Sequence, residues 1–354
     1  MRLIIAAGSK GKFFHLKEFA DALSKLGVEC KLVLDTDYSR GFPSKKISEW
    51  FLPDKKFKKL VSEFRPDAVF IDRQSHFGSH TINAKIPLFV LLRGHYWSEI
   101  EWAKKTMYRD PLMRVVIWFR NRIAEKCFKN AKAVFPICEW LVGIVKEHHP
   151  NQKTHVFLEG INSSRWYTVD GMRLNHPCIG LLQNANWWGK TKEMLILPEV
   201  LAALPSVTFY WVGDGGPYTE KILSVLGKYK NFSYLGPLEY PDRIREYLAS
   251  IDIYALVTGM DLAPLTLKEA QLMEKPVIAT AVGGNPEMMQ DKKTGFLVRQ
   301  GDAKDLIEKI TLLLDDKTLC DKMGKAGRQF VIDNFSWEIV AKRFLTYASE
   351  DLKK

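Results

Sequence analysis

The chain has 354 residues, 46% hydrophobic and 26% charged, a globular balance that excludes wholesale disorder, at a length that suits two domains. Its formal net charge of +11 is uneven: residues 1–173 carry a net +12 and residues 174–354 a net −1. The five cysteines form no C-x-x-C pair, which argues against a structural zinc site, and no run approaches the ~18 apolar residues of a membrane span.

The first apolar run, residues 3–7, is too short for a signal-peptide core and reads as a buried strand. Few, scattered cysteines fit a reducing compartment. The expectation is a cytoplasmic protein that meets a membrane, if at all, only peripherally at its surface. A helical pattern follows over 13–26, with Phe19, Leu23 and Leu26 on one face, then candidate strands at 28–34, 67–72, 86–92 and 133–136. The polar stretch 168–176, with Gly171, interrupts the alternation. The series restarts at 178–182 and continues through 207–212, 232–235, 253–256 and 277–279. Strands separated by helices indicate parallel sheets. The reading is α/β: two Rossmann-like domains, 1–167 and 177–335, joined by a linker at 168–176, with ligand expected in a cleft at the carboxyl ends of the strands.

Several residues at strand ends carry chemistry. Gly8 and Gly11 lie in the loop AAGSKGKFFH, where glycine lets backbone approach an anion or sugar; the G-x-x-G spacing is not a nicotinamide fingerprint. Arg93 and His95 end the strand at 86–92, and Glu139 follows the next strand as a weaker acceptor-site candidate. His15 reads as a helix-face residue. Asp35-Thr36-Asp37 has D-x-D form but reads as a turn and not a metal site. Gly213, Gly215 and Gly216 around Asp214 make a second Gly-rich loop, and Gly283-Gly284 a third; Glu287 reads as a helix-start acid.

The sharpest pattern is DLAPLTLKEAQLMEKPVIATAVGGNPEMMQDKKTGFLV at 261–298. Pro264 suits the first turn of a helix, whose free N–H groups at Leu265, Thr266 and Leu267, with the helix macrodipole, would hold a diphosphate. Glu269, one to two turns in, would accept the hydroxyls of a ribose on that diphosphate, and Asp261 would reach the transferred sugar.

This segment resembles the donor signature of retaining GT-B glycosyltransferases of the group 1 (family 4) type: two acids separated by seven other residues, a helix, P-V-I-A-T, a Gly-Gly turn, N-P-E and a T-G-F-L-V strand. EGINSSRWY at 159–167, VGDGGPY at 212–218, residues 231–257 and FSWEIVAKRFLTY at 335–347 are similar to other parts of that family. The resemblance implies the GT-B fold, with a C-terminal crossover helix at 336–354 returning to the first domain. It implies metal-independent transfer of a sugar from a UDP- or GDP-sugar with retention of configuration, no cofactor, and a donor site in the second domain. In that family the first acid is usually Glu; here it is Asp261. The family's Lys falls on Lys190, while its Arg is replaced by Gln183, Asn184, Ala185 and Asn186, leaving Lys190 alone or helped by Lys192 or a first-domain arginine. A loop histidine contacts the donor sugar in the family, which points to His95, with Arg93 second.

The basic excess concentrates at 44–60, with six lysines beside Trp50, Phe51 and Phe57, and at 111–130, with Arg114, Arg120, Arg122, Lys126 and Lys129 around Val115–Phe119. Basic, aromatic-bearing amphipathic segments suit an anionic membrane surface, and no nucleic-acid module is visible. In GT-B enzymes the first domain binds the acceptor, so a lipid-linked or glycan acceptor is expected. The alternatives are a sugar-nucleotide epimerase on the same fold and a non-catalytic basic glycan-binding protein.

Overall fold

A computed structural model of the chain describes residues 1–42, 54–106 and 108–353, with Leu112 by its backbone alone. The chain divides into two units, Met1–Gly160 with Trp337–Lys354, and Ile161–Ser336.

The first unit runs β1 (Arg2–Ala7), α1 (Lys10–Lys25), β2 (Glu29–Leu34), α2 (Asp35–Tyr38), α3 (Lys55–Phe64), β3 (Ala68–Ile71), α4 (His76–Asn83), β4 (Leu88–Leu92), α5 (Tyr96–Thr106), α6 (Pro111–Asn130), β5 (Ala133–Pro136) and α7 (Glu139–His148). Its five strands are parallel in the order β2-β1-β3-β4-β5. Strands β3, β4 and β5 are buried at every residue, as expected where helices cover both faces of a parallel sheet.

The second unit runs β6 (Cys178–Leu182), α8 (Trp188–Thr191), α9 (Leu197–Ala203), β7 (Thr208–Val212), α10 (Thr219–Leu226), β8 (Phe232–Gly236), α11 (Asp242–Ser250), β9 (Ile253–Leu256), α12 (Leu265–Leu272), β10 (Val277–Thr280), β11 (Gly295–Val298), α13 (Ala303–Asp315) and α14 (Lys317–Phe335). Its sheet is also parallel, in the order β11-β10-β9-β6-β7-β8. The order reverses at β6, which pairs β7 on one side and β9 on the other. Such a switch point leaves a crevice outside the strands' carboxyl ends.

The last helix, α15 (Trp337–Lys353), belongs to the first unit. Phe344 packs against Phe19, Phe70, Phe89 and Phe135 at centroid distances of 5.2, 5.2, 5.8 and 5.1 Å. Trp337 Nε1 donates to Glu18 at 2.9 Å, and the buried carboxylate of Asp351 receives Lys153 and His155.

The unit boundary falls at Gly160/Ile161, and residues 161–176, which the sequence divides between first domain and linker, are grouped with the second unit. Their hydrogen bonds explain this. Ile161 N–H donates to Phe335 O at 2.8 Å, Arg328 to Trp166 O at 2.9 Å, and Asn175 N–H to the Tyr210 hydroxyl at 2.9 Å.

Of the basic stretch 44–60, residues 44–53 lie outside the described residues, and the remainder forms the start of α3. Gly11 lies inside α1 and not in the preceding loop, because the helix starts at Lys10 after Ser9 at the N-cap. No helix among the described residues is long and apolar enough to cross a membrane.

Candidate active site

In the second unit, two loops meet over the switch point. One follows β6 and carries Lys190 in α8; the other follows β9 and carries Asp261. Gly259 N–H donates to Lys190 O at 2.9 Å, joining the loops through backbone. A side chain on Gly259 would put its Cβ 2.2 Å from Gly189 O. Lys190 Nζ forms an ion pair with the Asp261 carboxylate. The other Asp261 oxygen accepts Leu262 N–H at 3.0 Å, and the Asp261 carbonyl accepts Gly284 N–H at 3.0 Å. Gly283 enters this contact with φ +53°, and a Cβ there would lie 2.0 Å from Asp261 O. The Gly-Gly turn after β10 therefore fixes Asp261 by close backbone approach.

Helix α12 starts three residues beyond Leu262. Pro264 occupies its N-cap with extended ψ, not its first turn as the sequence suggests, and no side chain caps the helix. The first N–H groups of any α-helix lack intrahelical partners, so Leu265 and Thr266 present donors and the positive end of the helix dipole. The Thr266 hydroxyl accepts from Tyr254 at 2.7 Å, a part-buried tie between β9 and the helix start. Glu269, in the second turn, is only 2% exposed. Burial pushes its carboxyl up to about 7, opposed by a hydrogen bond from Tyr240 and the charge of Lys268.

Gly213 sits where a Cβ would be 2.2 Å from Gln183 O, and Gly216 where one would be 2.4 Å from Ala185 O. These glycines let the loop after β7 lie against residues 183–186. Where the family arginine is absent, Gln183 spans inward to Val257 O at 2.9 Å, and Asn184 accepts Asp214 N–H at 2.8 Å. Lys192 is exposed. The structure thus brings Lys190, Asp261, Pro264, Leu265 and Thr266 onto two adjacent loops.

In the first unit, a cavity of about 710 Å³ opens at the carboxyl ends of β1, β3 and β4. Gly8 and Arg93 line it. Gly8 N–H donates to Asp72 at 3.1 Å. Arg93 is held between two buried carboxylates, Asp72 at 3.0 Å and Glu159 at 2.5 Å. Sequence reasoning missed both acids: Asp72 stands in no motif, Glu159 opens the EGINSSRWY segment without a role assigned to it, and their convergence on Arg93 is a tertiary feature. His95 does not line the cavity. Its ring packs edge-on against Trp140 at 5.7 Å, and burial, with His148 nearby, holds its pKa below the usual value. Gly11 is exposed with open space around it, and Glu139 is exposed at the start of α7. Asp35 of the D-x-D lies in α2, buried and gripped by Arg73 at 2.8–3.2 Å, while Asp37 is exposed. That arrangement is an ion pair within the fold.

Two parallel-sheet α/β units of this topology constitute the GT-B fold. The fold matches, over 100% of this chain and 99% of that one, a glycosyltransferase from Rickettsia africae (TM-score 0.75, 18% identity). It also matches a sucrose-phosphate synthase from Thermosynechococcus elongatus over 99% of each chain (TM-score 0.74, 16% identity), and Anabaena HepE in complex with UDP-glucose over 99% and 100% (TM-score 0.68, 16% identity). Residues 179–316, within the second unit, match the family "Glycosyl transferases group 1". Among curated relatives, a GDP-mannose-dependent monoacylated alpha-(1-6)-phosphatidylinositol monomannoside mannosyltransferase of Corynebacterium glutamicum is 35% identical over 162 residues, 44% of this chain and 42% of the relative. A trehalose synthase of Thermococcus litoralis is 31% identical over 173 residues, 48% and 40%. The alignments thus span about two fifths of those relatives' length.

Proposed function

We propose that the chain is a retaining hexosyltransferase that moves a sugar from a nucleoside-diphosphate sugar to a lipid-linked or glycan acceptor without a metal ion. The observation that carries this is the Lys190–Asp261 ion pair standing just before the uncapped start of α12, with Glu269 in that helix. A diphosphate is recognised by donors and positive charge, which Lys190 and the N–H groups of Leu265 and Thr266 supply. Charge accumulates on the departing diphosphate as the glycosidic bond breaks, so fixed cations there lower the barrier. Asp261 is freed for a sugar hydroxyl when the phosphate takes Lys190, and Glu269 accepts the ribose hydroxyls. His95 remains the proposed contact to the transferred sugar, with Arg93 second, and Gly8 the proposed backbone approach to the donor. The relative named for GDP-mannose and the neighbour crystallised with UDP-glucose support a nucleotide-sugar donor. The same relative's phosphatidylinositol substrate supports a lipid-linked acceptor. The basic first unit supports an anionic membrane surface as the place of work.

Thermal unfolding with UDP, GDP, ADP and TDP tests the donor site. One of them should raise the midpoint, and no shift with any would sink the assignment. Sugar release from the matching nucleotide sugar should persist in EDTA and vanish in Glu269→Ala. Product NMR should show the donor's anomeric configuration.

A further inference from the structure

Helix α6 carries two apolar stripes. Ile117, Ala124 and Phe128 are at most 3% exposed and form its core face. Val115, Trp118 and Phe119 follow i, i+3, i+4 spacing; Val115 and Phe119 lie about 160° and Trp118 about 100° around the helix from Ile117, and they are 48%, 51% and 37% exposed. Met113, one turn before Ile117, is also exposed, so the first turns of α6 extend past the packed core. A helix that only covers a core needs one apolar stripe, facing inward; the second marks a surface with a partner.

The surroundings indicate which partner. Arg122 lies 4.8 Å over the Trp118 ring. A groove of about 800 Å³ between α5 and α6 is lined by Lys105, Arg109, Arg114, Ile117 and Trp118, together with Glu101 and Lys104. Glu101 is already paired with Lys104 at 2.6 Å, whereas no ion pair to Lys105, Arg109 or Arg114 occurs among the described residues. Three cations therefore line a groove whose wall is an exposed tryptophan. Exposed aromatics beside cations match the boundary between acyl chains and anionic headgroups.

We propose that α5 and α6 dock on an anionic lipid bilayer, with Val115, Trp118 and Phe119 entering the acyl boundary and Lys105, Arg109 and Arg114 seating the phosphate of one headgroup. This deepens the membrane-side acceptor reading above and is independent of the donor chemistry.

Co-sedimentation of the full chain with phosphatidylcholine vesicles, and with vesicles containing phosphatidylglycerol, tests it. Binding should occur only to the anionic vesicles and weaken at high salt. Trp118→Ser with Phe119→Ser should weaken binding at least about tenfold. Arg109→Ala with Arg114→Ala should weaken it about 25-fold, roughly fivefold for each cation. Absence of binding to anionic vesicles, or unchanged binding in both double variants, overturns the proposal. If light scattering then shows a dimer that Trp118→Ser dissolves, the surface belongs to a second copy of the chain. The nucleotide-induced thermal shift, measured on the same proteins, serves as the folding control. Its loss with vesicle binding intact would refute the donor site and leave the docking surface standing.

Discussion

Lys190 and Asp261, 71 residues apart, are ion-paired across the β6 and β9 loops of the second unit. Each is the other's counter-ion. A bound diphosphate would compete with Asp261 for the lysine.

Removing the cation should therefore impair turnover more than folding. Lys190→Ala is expected to lower kcat about 10²–10³-fold, the usual loss for one preorganised charge-stabilising donor. Steady-state kinetics with the matched nucleotide sugar, set beside the unfolding midpoint, check this. A variant that loses only stability would speak for a purely structural pair.

Glu269 should make nucleotide binding depend on pH. In the proposed donor site the ribose hydroxyls would donate to the ionised carboxylate, and burial pushes that group up to about 7. Affinity should therefore rise with pH through 7 and then level, while Glu269→Gln should bind more weakly with a flat profile. Stability runs the other way. Between the ordinary carboxyl range and about 7, the folded chain holds a proton the unfolded chain has lost, so this group's contribution falls as pH rises. Titrations on either side of pH 7 read both.

The two Gly-rich loops should respond differently to alanine. Gly283→Ala forces a side chain into φ +53° against the Asp261 carbonyl and should cost about 1–3 kcal/mol, with loss of turnover. Gly215→Ala enters open space and should be nearly silent. Chemical denaturation of both variants makes the comparison.

The returning helix is held by aromatic packing. Phe344 is 1% exposed among four phenylalanines, so Phe344→Ala should destabilise by about 3–5 kcal/mol. A lowered calorimetric midpoint is the readout.

The sequence by itself determined what repeats locally. Short continuous apolar runs located the strands to within a residue or two, since a doubly covered strand must be apolar along its length, as at Ala133–Pro136 and Ile253–Leu256. The 261–298 motif exposed the helix start, Asp261 and Glu269, because those residues are neighbours in the chain. Only the tertiary structure decided which distant groups meet. Asp72 and Glu159 close on Arg93 from opposite parts of the first unit, and Arg73 claims Asp35 from the D-x-D. Residues 161–176 fasten to the second unit through bonds to Phe335, Arg328 and Tyr210, and Glu269 is buried beside Tyr240. Periodicity records which face of an element is dry. It carries no information about which charge, tens of residues away, will be brought alongside.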